Sequence, residues 1–173
     1  MASKTKAMCV TAMFSVLLML GAWIAVPSVP PFTLQTLVLF CMVCLLDGKT
    51  MFGAVAVYIA LGAVGLPVFA GFQGGVGVFV SATGGYLVGF LLMAGLRWLW
   101  PSHRFRHSLI VMSIGILLSY FCAVVWYAAL FTGLTAHGFW AAMLTCVVPF
   151  VLPDAAKAVA AVWLSRRLSR FMK

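Results

Sequence analysis

Six apolar runs, joined by loops in which positive charge appears only at every second connection, constrain this chain more than any other feature. Bounded by Pro, Gly and charge, the runs cover positions 7–26, 33–46, 51–65, 76–96, 108–131 and 139–164. None leaves room for the polar face that a helix of a soluble domain presents to water. With 65% hydrophobic and only 8% charged residues, the composition indicates an integral membrane protein. The second and third runs are short against the roughly 20 helical residues that a bilayer core of about 30 Å requires. They fit tilted spans, spans extended into their flanks, or one re-entrant hairpin.

Charge decides between these counts. Of the eleven Lys and Arg residues, Lys4 and Lys6 precede the first run, and Lys49 lies between the second and third. Arg97, Arg104 and Arg106 lie between the fourth and fifth runs, and Arg166, Arg167, Arg170 and Lys173 follow the sixth. Six crossings put all ten of these cations on one face, which the positive-inside rule makes the cytoplasm, whereas five would scatter them. Both termini are therefore expected to be cytoplasmic. The net charge of +9 then reads as orientation and contact with anionic lipid. No aromatic-interleaved basic patch points to nucleic acid. The longest polar stretch is the loop around 101–107, so one helical transmembrane domain is expected to fill residues 1–173.

The first run could imitate a secretory signal, but it is about twenty residues long and has no clear small-x-small cleavage site, so a retained helix is expected. Cys41 and Cys44 have CxxC spacing, yet no second pair and no nearby His accompany them, which favours buried thiols over a metal site. His103, His107 and His137 flank loops and suit interfacial roles. Trp23, Trp98, Trp100 and Trp163 fall near run ends, as an aromatic belt would place them. Gly77, Ser81, Gly85 and Gly89 recur every four residues, predicting a small-residue helix face on which another backbone can pack. The glycine-rich segment 71–77 lacks the preceding strand and following Lys of a phosphate loop. It predicts instead a tight outer loop able to fold over a pocket.

The eleventh cation, Lys157, and one of the two acids, Asp154, lie three apart within the last run. An ionised side chain at bilayer depth costs roughly 3 kcal/mol on insertion scales, so a retained acid and base mark a candidate site. Pro149 and Pro153 predict a break through 150–152, with Pro153 opening a second half-helix and Asp154 in its first turn. A spacing of three puts Asp154 and Lys157 on roughly one face, where they can pair. Backbone freed by a break is tolerated at that depth only against protein or a wet cavity. A structural ion pair that merely locks helices together is the competing reading.

Several segments carry a family resemblance. Gly65-Leu66-Pro67-Val68-Phe69-Ala70-Gly71, Gly74-Gly75-Val76-Gly77 and Thr83-Gly84-Gly85-Tyr86-Leu87-Val88-Gly89-Phe90 closely resemble the signature of the BioY family, the biotin-specific substrate-binding (S) subunits of energy-coupling factor (ECF) transporters. Val29-Pro30-Pro31-Phe32-Thr33-Leu34-Gln35-Thr36 and Pro153-Asp154-Ala155-Ala156-Lys157 are similar to two further segments of that family, in the same order. The resemblance implies an all-α, six-helix S-component bundle in the inner membrane. It also implies an outer biotin pocket closed by the first and third-to-fourth loops, and use of Asp154 and Lys157. It further implies a transmembrane coupling subunit and ATPase subunits as partners, which suits a chain with no Walker A motif.

Biotin offers a valerate carboxylate, a ureido ring with two N–H groups and a carbonyl, and an apolar body. Asp154 and Lys157 are expected to form the charged core of its site, with Gln73 and Tyr86 adding hydrogen bonds or ring packing and Gln35 a further contact. Three scattered histidines, two acids and no HExxH or GxSxG motif leave little for an enzyme, and no cofactor is expected beyond biotin as transported ligand. Binding of another small vitamin, or a membrane scaffold role with a structural Asp-Lys pair, are the alternatives.

Overall fold

The computed structural model describes residues 2–101 and 105–168, so His103, Arg104, Arg170 and Lys173 lie outside the described residues. The chain runs through α1 (Ala2–Trp23), a two-residue hairpin of β1 (Ala25–Val26) and β2 (Phe32–Thr33), α2 (Gln35–Leu45), α3 (Gly48–Ala63), α4 (Gly84–Leu99), α5 (Phe105–Tyr127), α6 (Ala136–Cys146) and α7 (Val148–Leu168). The hairpin is antiparallel, with Ala25 opposite Thr33 and Val26 opposite Phe32. Among the described residues, three helical stretches are long and apolar enough to cross a membrane, Lys4–Trp23, Arg106–Thr132 and Ala136–Leu168, the last made of α6 and α7 together. The remaining apolar helices, α2, α3 and α4, are shorter.

The two short runs are separate members of the bundle and not a hairpin. Helix α2 packs chiefly against α7 and α1, α3 fits between α1 and α4, and α4 lies along α5. At 1.5 Å per residue, the 11-residue α2 is only about 16 Å long, roughly half a hydrocarbon core. The core of the bundle is a continuous cluster that includes Leu18, Leu39, Phe40, Met42, Met51, Val55, Tyr58 and Met93.

Asp47 starts α3. Its carboxylate accepts hydrogen bonds from the Thr50 amide at 3.0 Å and the Thr50 hydroxyl at 2.7 Å, satisfying a donor that the first helical turn cannot pair internally. Partial burial works to raise the Asp47 pKa, but the Thr50 hydroxyl and amide outweigh it and hold the group below its ordinary value. A carboxyl depressed on folding contributes stability that is complete above its unfolded pKa of about 4 and is lost as pH falls through the lower folded value. Asp47→Ala is therefore expected to cost about 1 kcal/mol at neutral pH. The cost should shrink on acidification below about pH 4, as read from thermal unfolding of the solubilised chain.

Two expected boundaries move. The fourth run becomes helical only at Gly84, after a short 3-10 segment over Val76–Val80. The Ser81 hydroxyl donates to the Val78 carbonyl at 2.6 Å and accepts from the Thr83 amide, so local side-chain bonds replace the helical ladder at this point. The predicted small-residue face is thus half realised. Gly77 and Ser81 precede the helix, while Gly85 and Gly89 meet α5 closely enough that an added Cβ would lie 2.6 Å from the Cys122 carbonyl oxygen and 2.4 Å from Ser119 Cα respectively.

The last run breaks at Val147, one turn before the predicted place. Pro149, in the first turn of α7, needs no internal donor there, and Pro153 lies inside the helix, so Asp154 occupies its second turn. At the end of α1 the Trp23 indole donates to the Pro67 carbonyl at 2.9 Å, and its ring meets Phe72 at a tilt with centroids 4.8 Å apart. Trp23 therefore ties the end of α1 to the loop after α3, whereas Trp98, Trp100 and Trp163 are exposed. Cys41 is buried in the core, and the Cys44 thiol lies 3.8 Å from the Met112 sulfur.

Candidate functional site

The second and third turns of α7 carry Asp154 and Lys157, both buried, with the ammonium Nζ 3.0 Å from Asp154 Oδ1. The first turn of α2 faces them with Gln35 and Thr36, and β2 adds Thr33. Lys157 Nζ donates to the Thr33 carbonyl at 2.7 Å, to Thr36 Oγ1 at 2.9 Å and to Asp154 Oδ1. An ammonium has three protons, and all three have partners here. The Phe32 ring lies beneath the same cation, 3.8 Å from centroid to Nζ, which adds a cation–π contact.

Asp154 is held from two sides. Thr36 Oγ1 donates to its Oδ1 at 2.8 Å and Tyr120 Oη on α5 donates to its Oδ2 at 2.7 Å. The Thr36 hydroxyl therefore accepts from the base and donates to the acid, so the pair is bridged as well as in direct contact. A buried ion pair is tolerated when its remaining hydrogen-bond capacity is met in this way.

The break before α7 shapes the other wall. The Phe150 amide turns to the Val147 carbonyl at 2.9 Å, and the Tyr86 hydroxyl on α4 donates to the Cys146 carbonyl at the end of α6. The Tyr86 ring stands 6.1 Å from Phe150, which in turn stacks with Phe32 at 6.0 Å.

These groups line one cavity of about 50 Å³, built from five regions: Pro30, Pro31 and Thr33 of the first loop, Gln35 and Thr36 of α2, Phe69, Ala70 and Thr83 of the third-to-fourth loop, Tyr86 and Phe90 of α4, and Phe150, Asp154 and Lys157 of α7. Its chemistry is a mostly apolar, aromatic wall with one acid and one base at a single place, the usual composition of a small-molecule site.

Four of the five residues singled out from the sequence, Asp154, Lys157, Tyr86 and Gln35, line this cavity together. Gln73 does not. It is exposed, and its backbone carbonyl accepts from the Phe69 amide at 3.0 Å, in a turn that continues through Phe72 at φ 58°. Both polar ends of Gln35 are already engaged, its amide nitrogen donating to Tyr58 Oη at 2.7 Å and its oxygen accepting from the Thr33 hydroxyl at 2.9 Å. Sequence reasoning passed over Thr33, Thr36, Tyr120 and the Phe32–Phe150 stack. Thr33 and Thr36 lie in the segment that carried the family resemblance, so a signal for them was present. Tyr120 carries none. Among the described residues, no cluster of three or more His, Cys, Asp or Glu is placed to hold a metal ion.

Known proteins share the sequence and the fold. The sequence is 39% identical over 147 residues to the biotin transporter BioY of Thermotoga maritima, covering 84% of this chain and 76% of that protein. It is 34% identical over 169 residues to a probable biotin transporter BioY of Pyrococcus horikoshii, covering 95% and 97%. The fold superposes on a crystal structure of the S-component for biotin from an ECF-type ABC transporter with a TM-score of 0.81, covering 98% of this chain and 93% of that one at 23% identity. The BioY family model matches residues 1–173 from end to end, and with an S-component fold around its acid–base pair the chain belongs to the BioY family.

Proposed function

We propose that this chain is the biotin-capturing S subunit of an ECF-type transporter and takes up biotin across the cytoplasmic membrane. The observation that carries the reading is the bridged Asp154–Lys157 pair, set in an aromatic cavity of a BioY-family fold. The relatives' names supply the vitamin. The protein is a binding and transport component and not an enzyme, and biotin is its cargo with no further cofactor.

Elementary donor–acceptor chemistry assigns the ends of the ligand. An ionised carboxylate only accepts hydrogen bonds, so Asp154 meets a ureido N–H and not the ligand's own oxygens. An ammonium only donates, so Lys157 meets the ureido carbonyl or the valerate carboxylate. The rings of Tyr86, Phe90 and Phe150 pack the apolar thiophane body. With its hydroxyl proton committed to the Cys146 carbonyl, Tyr86 contributes its ring face and its remaining lone pairs.

One six-crossing domain with both termini in the cytoplasm fits the cation distribution described above. A transmembrane coupling subunit and ATPase subunits supply the energy that this chain has no motif to supply.

The test is equilibrium binding of biotin and of biotin methyl ester to the solubilised chain. Asp154→Asn is expected to weaken biotin by at least tenfold, about 1.4 kcal/mol, because the amide turns a donor toward the ligand's donors. A change within twofold would rule out the site. A tenfold or greater loss on esterification assigns the valerate to Lys157, and equal binding of the ester assigns the ureido carbonyl to it.

A further inference from the structure

Asp154 has a second face. Besides the ligand cavity it lines a separate groove of about 350 Å³ between α2, α5 and α7, walled by Phe40, Met112, Ile116, Val151 and Ala158. Tyr120 lines this groove and is not among the residues lining the ligand cavity. Its hydroxyl therefore reaches Asp154 Oδ2 from outside the binding site, across apolar surroundings that offer the carboxylate little else. A carboxylate oxygen turned toward such a groove without a donor is strongly disfavoured. The opposite oxygen is already fixed by Thr36 and Lys157. With three of the carboxylate's roughly four acceptor directions occupied by protein, one remains for a ligand donor.

Given biotin as the ligand, we infer that Tyr120 is a positioning residue. From the groove side its hydroxyl fixes the plane of the Asp154 carboxylate, so that the one acceptor direction left over meets a ureido N–H. Tyr120 touches no part of the ligand. Its contribution is to discrimination, because a carboxylate held at Oδ1 alone, by Thr36 and Lys157, aims its free acceptor direction less well at an N–H donor and penalises a molecule without one less severely.

Binding of biotin and of a biotin methylated on both ureido nitrogens, measured on the parent and on Tyr120→Phe, tests this. The substitution keeps the ring and removes only the hydroxyl. Biotin is expected to weaken about tenfold in Tyr120→Phe, and the dimethylated analogue by less than twofold, so the ratio between them falls. Equal weakening of both ligands would make Tyr120 a packing residue only and overturn the inference, as would unchanged biotin affinity. Should Tyr120→Phe fail to fold, 4-aminophenylalanine placed at position 120, which keeps the ring length and an N–H donor at its tip, is expected to keep the parental ratio within threefold, and loss of that ratio in a folded protein overturns the inference. A parent that binds no biotin overturns biotin capture itself, which is a distinct result.

Discussion

Lys157→Ala is expected to abolish measurable biotin capture, with affinity reduced at least a hundredfold, equivalent to about 2.7 kcal/mol. Two losses combine. The ligand loses a charge-assisted hydrogen bond, worth about 1.5–3 kcal/mol. Asp154 also loses its counter-ion and becomes an uncompensated buried charge, and removing one partner of a buried pair costs about 3–5 kcal/mol. Part of that second cost falls on the fold, since Lys157 also holds the Thr33 carbonyl and Thr36 hydroxyl. Thermal unfolding of the solubilised variant should therefore show a lowered midpoint alongside the lost binding.

The double variant Asp154→Leu with Lys157→Met separates the two effects. Removing both charges and refilling the space with apolar groups restores much of the midpoint, because isosteric hydrophobic replacement of a buried pair is often neutral. Binding stays lost. If the double variant bound biotin, the pair would be structural and the cavity chemistry would lie elsewhere.

Gly89→Val is the second large effect, and it acts on the bundle instead of the ligand. A Cβ at position 89 would stand 2.4 Å from Ser119 Cα and 2.6 Å from Ser119 Oγ, so α4 and α5 cannot keep their present separation. The first of these contacts is backbone and does not swing away. Overpacking of this kind costs about 1–3 kcal/mol when neighbours can shift, and more where the added atom meets backbone. Helix α4 presents Tyr86 and Phe90 to the cavity while α5 presents Tyr120 to Asp154, so moving these helices apart also disturbs the site. Gly89→Val is expected to give little monodisperse protein on size-exclusion chromatography. Gly95→Val, whose Cβ would meet nothing within 4 Å, is the matched control and is expected to behave as the parent.

The apolar runs and their intervening cations made the six-part bundle legible because burying apolar length in lipid is the strongest term acting on this composition. Where the sequence misled, short-range competition decided the outcome. Ser81 looks like one more small residue at a helical spacing, but its hydroxyl closes a local ring and delays α4 to Gly84. Pro149 and Pro153 both lack an amide proton, and nothing local says which of them opens the half-helix. Packing of Phe150 into the cavity wall accompanies the earlier break.

Asp154 and Lys157 were conspicuous in the site because charge is rare in such surroundings. Their supporting hydroxyls were not, since Thr and Tyr are common in membrane helices and their partners are remote. Thr36 meets Asp154 across 118 positions, and Tyr120 meets it across 34. Gln73 drew attention as an amide amid glycines, yet the turn that begins at Phe69 leaves it on the outside while Phe69 and Ala70 line the cavity.

The fully partnered ammonium of Lys157 has a consequence for how the pocket rests. With its three protons on the Thr33 carbonyl, Thr36 Oγ1 and Asp154 Oδ1, the cation leaves no donor unmet against the apolar wall. A guest that takes a hydrogen bond from Lys157 must supply an acceptor in exchange for one of these three, so the protein's own bonds set the least that a polar ligand has to offer.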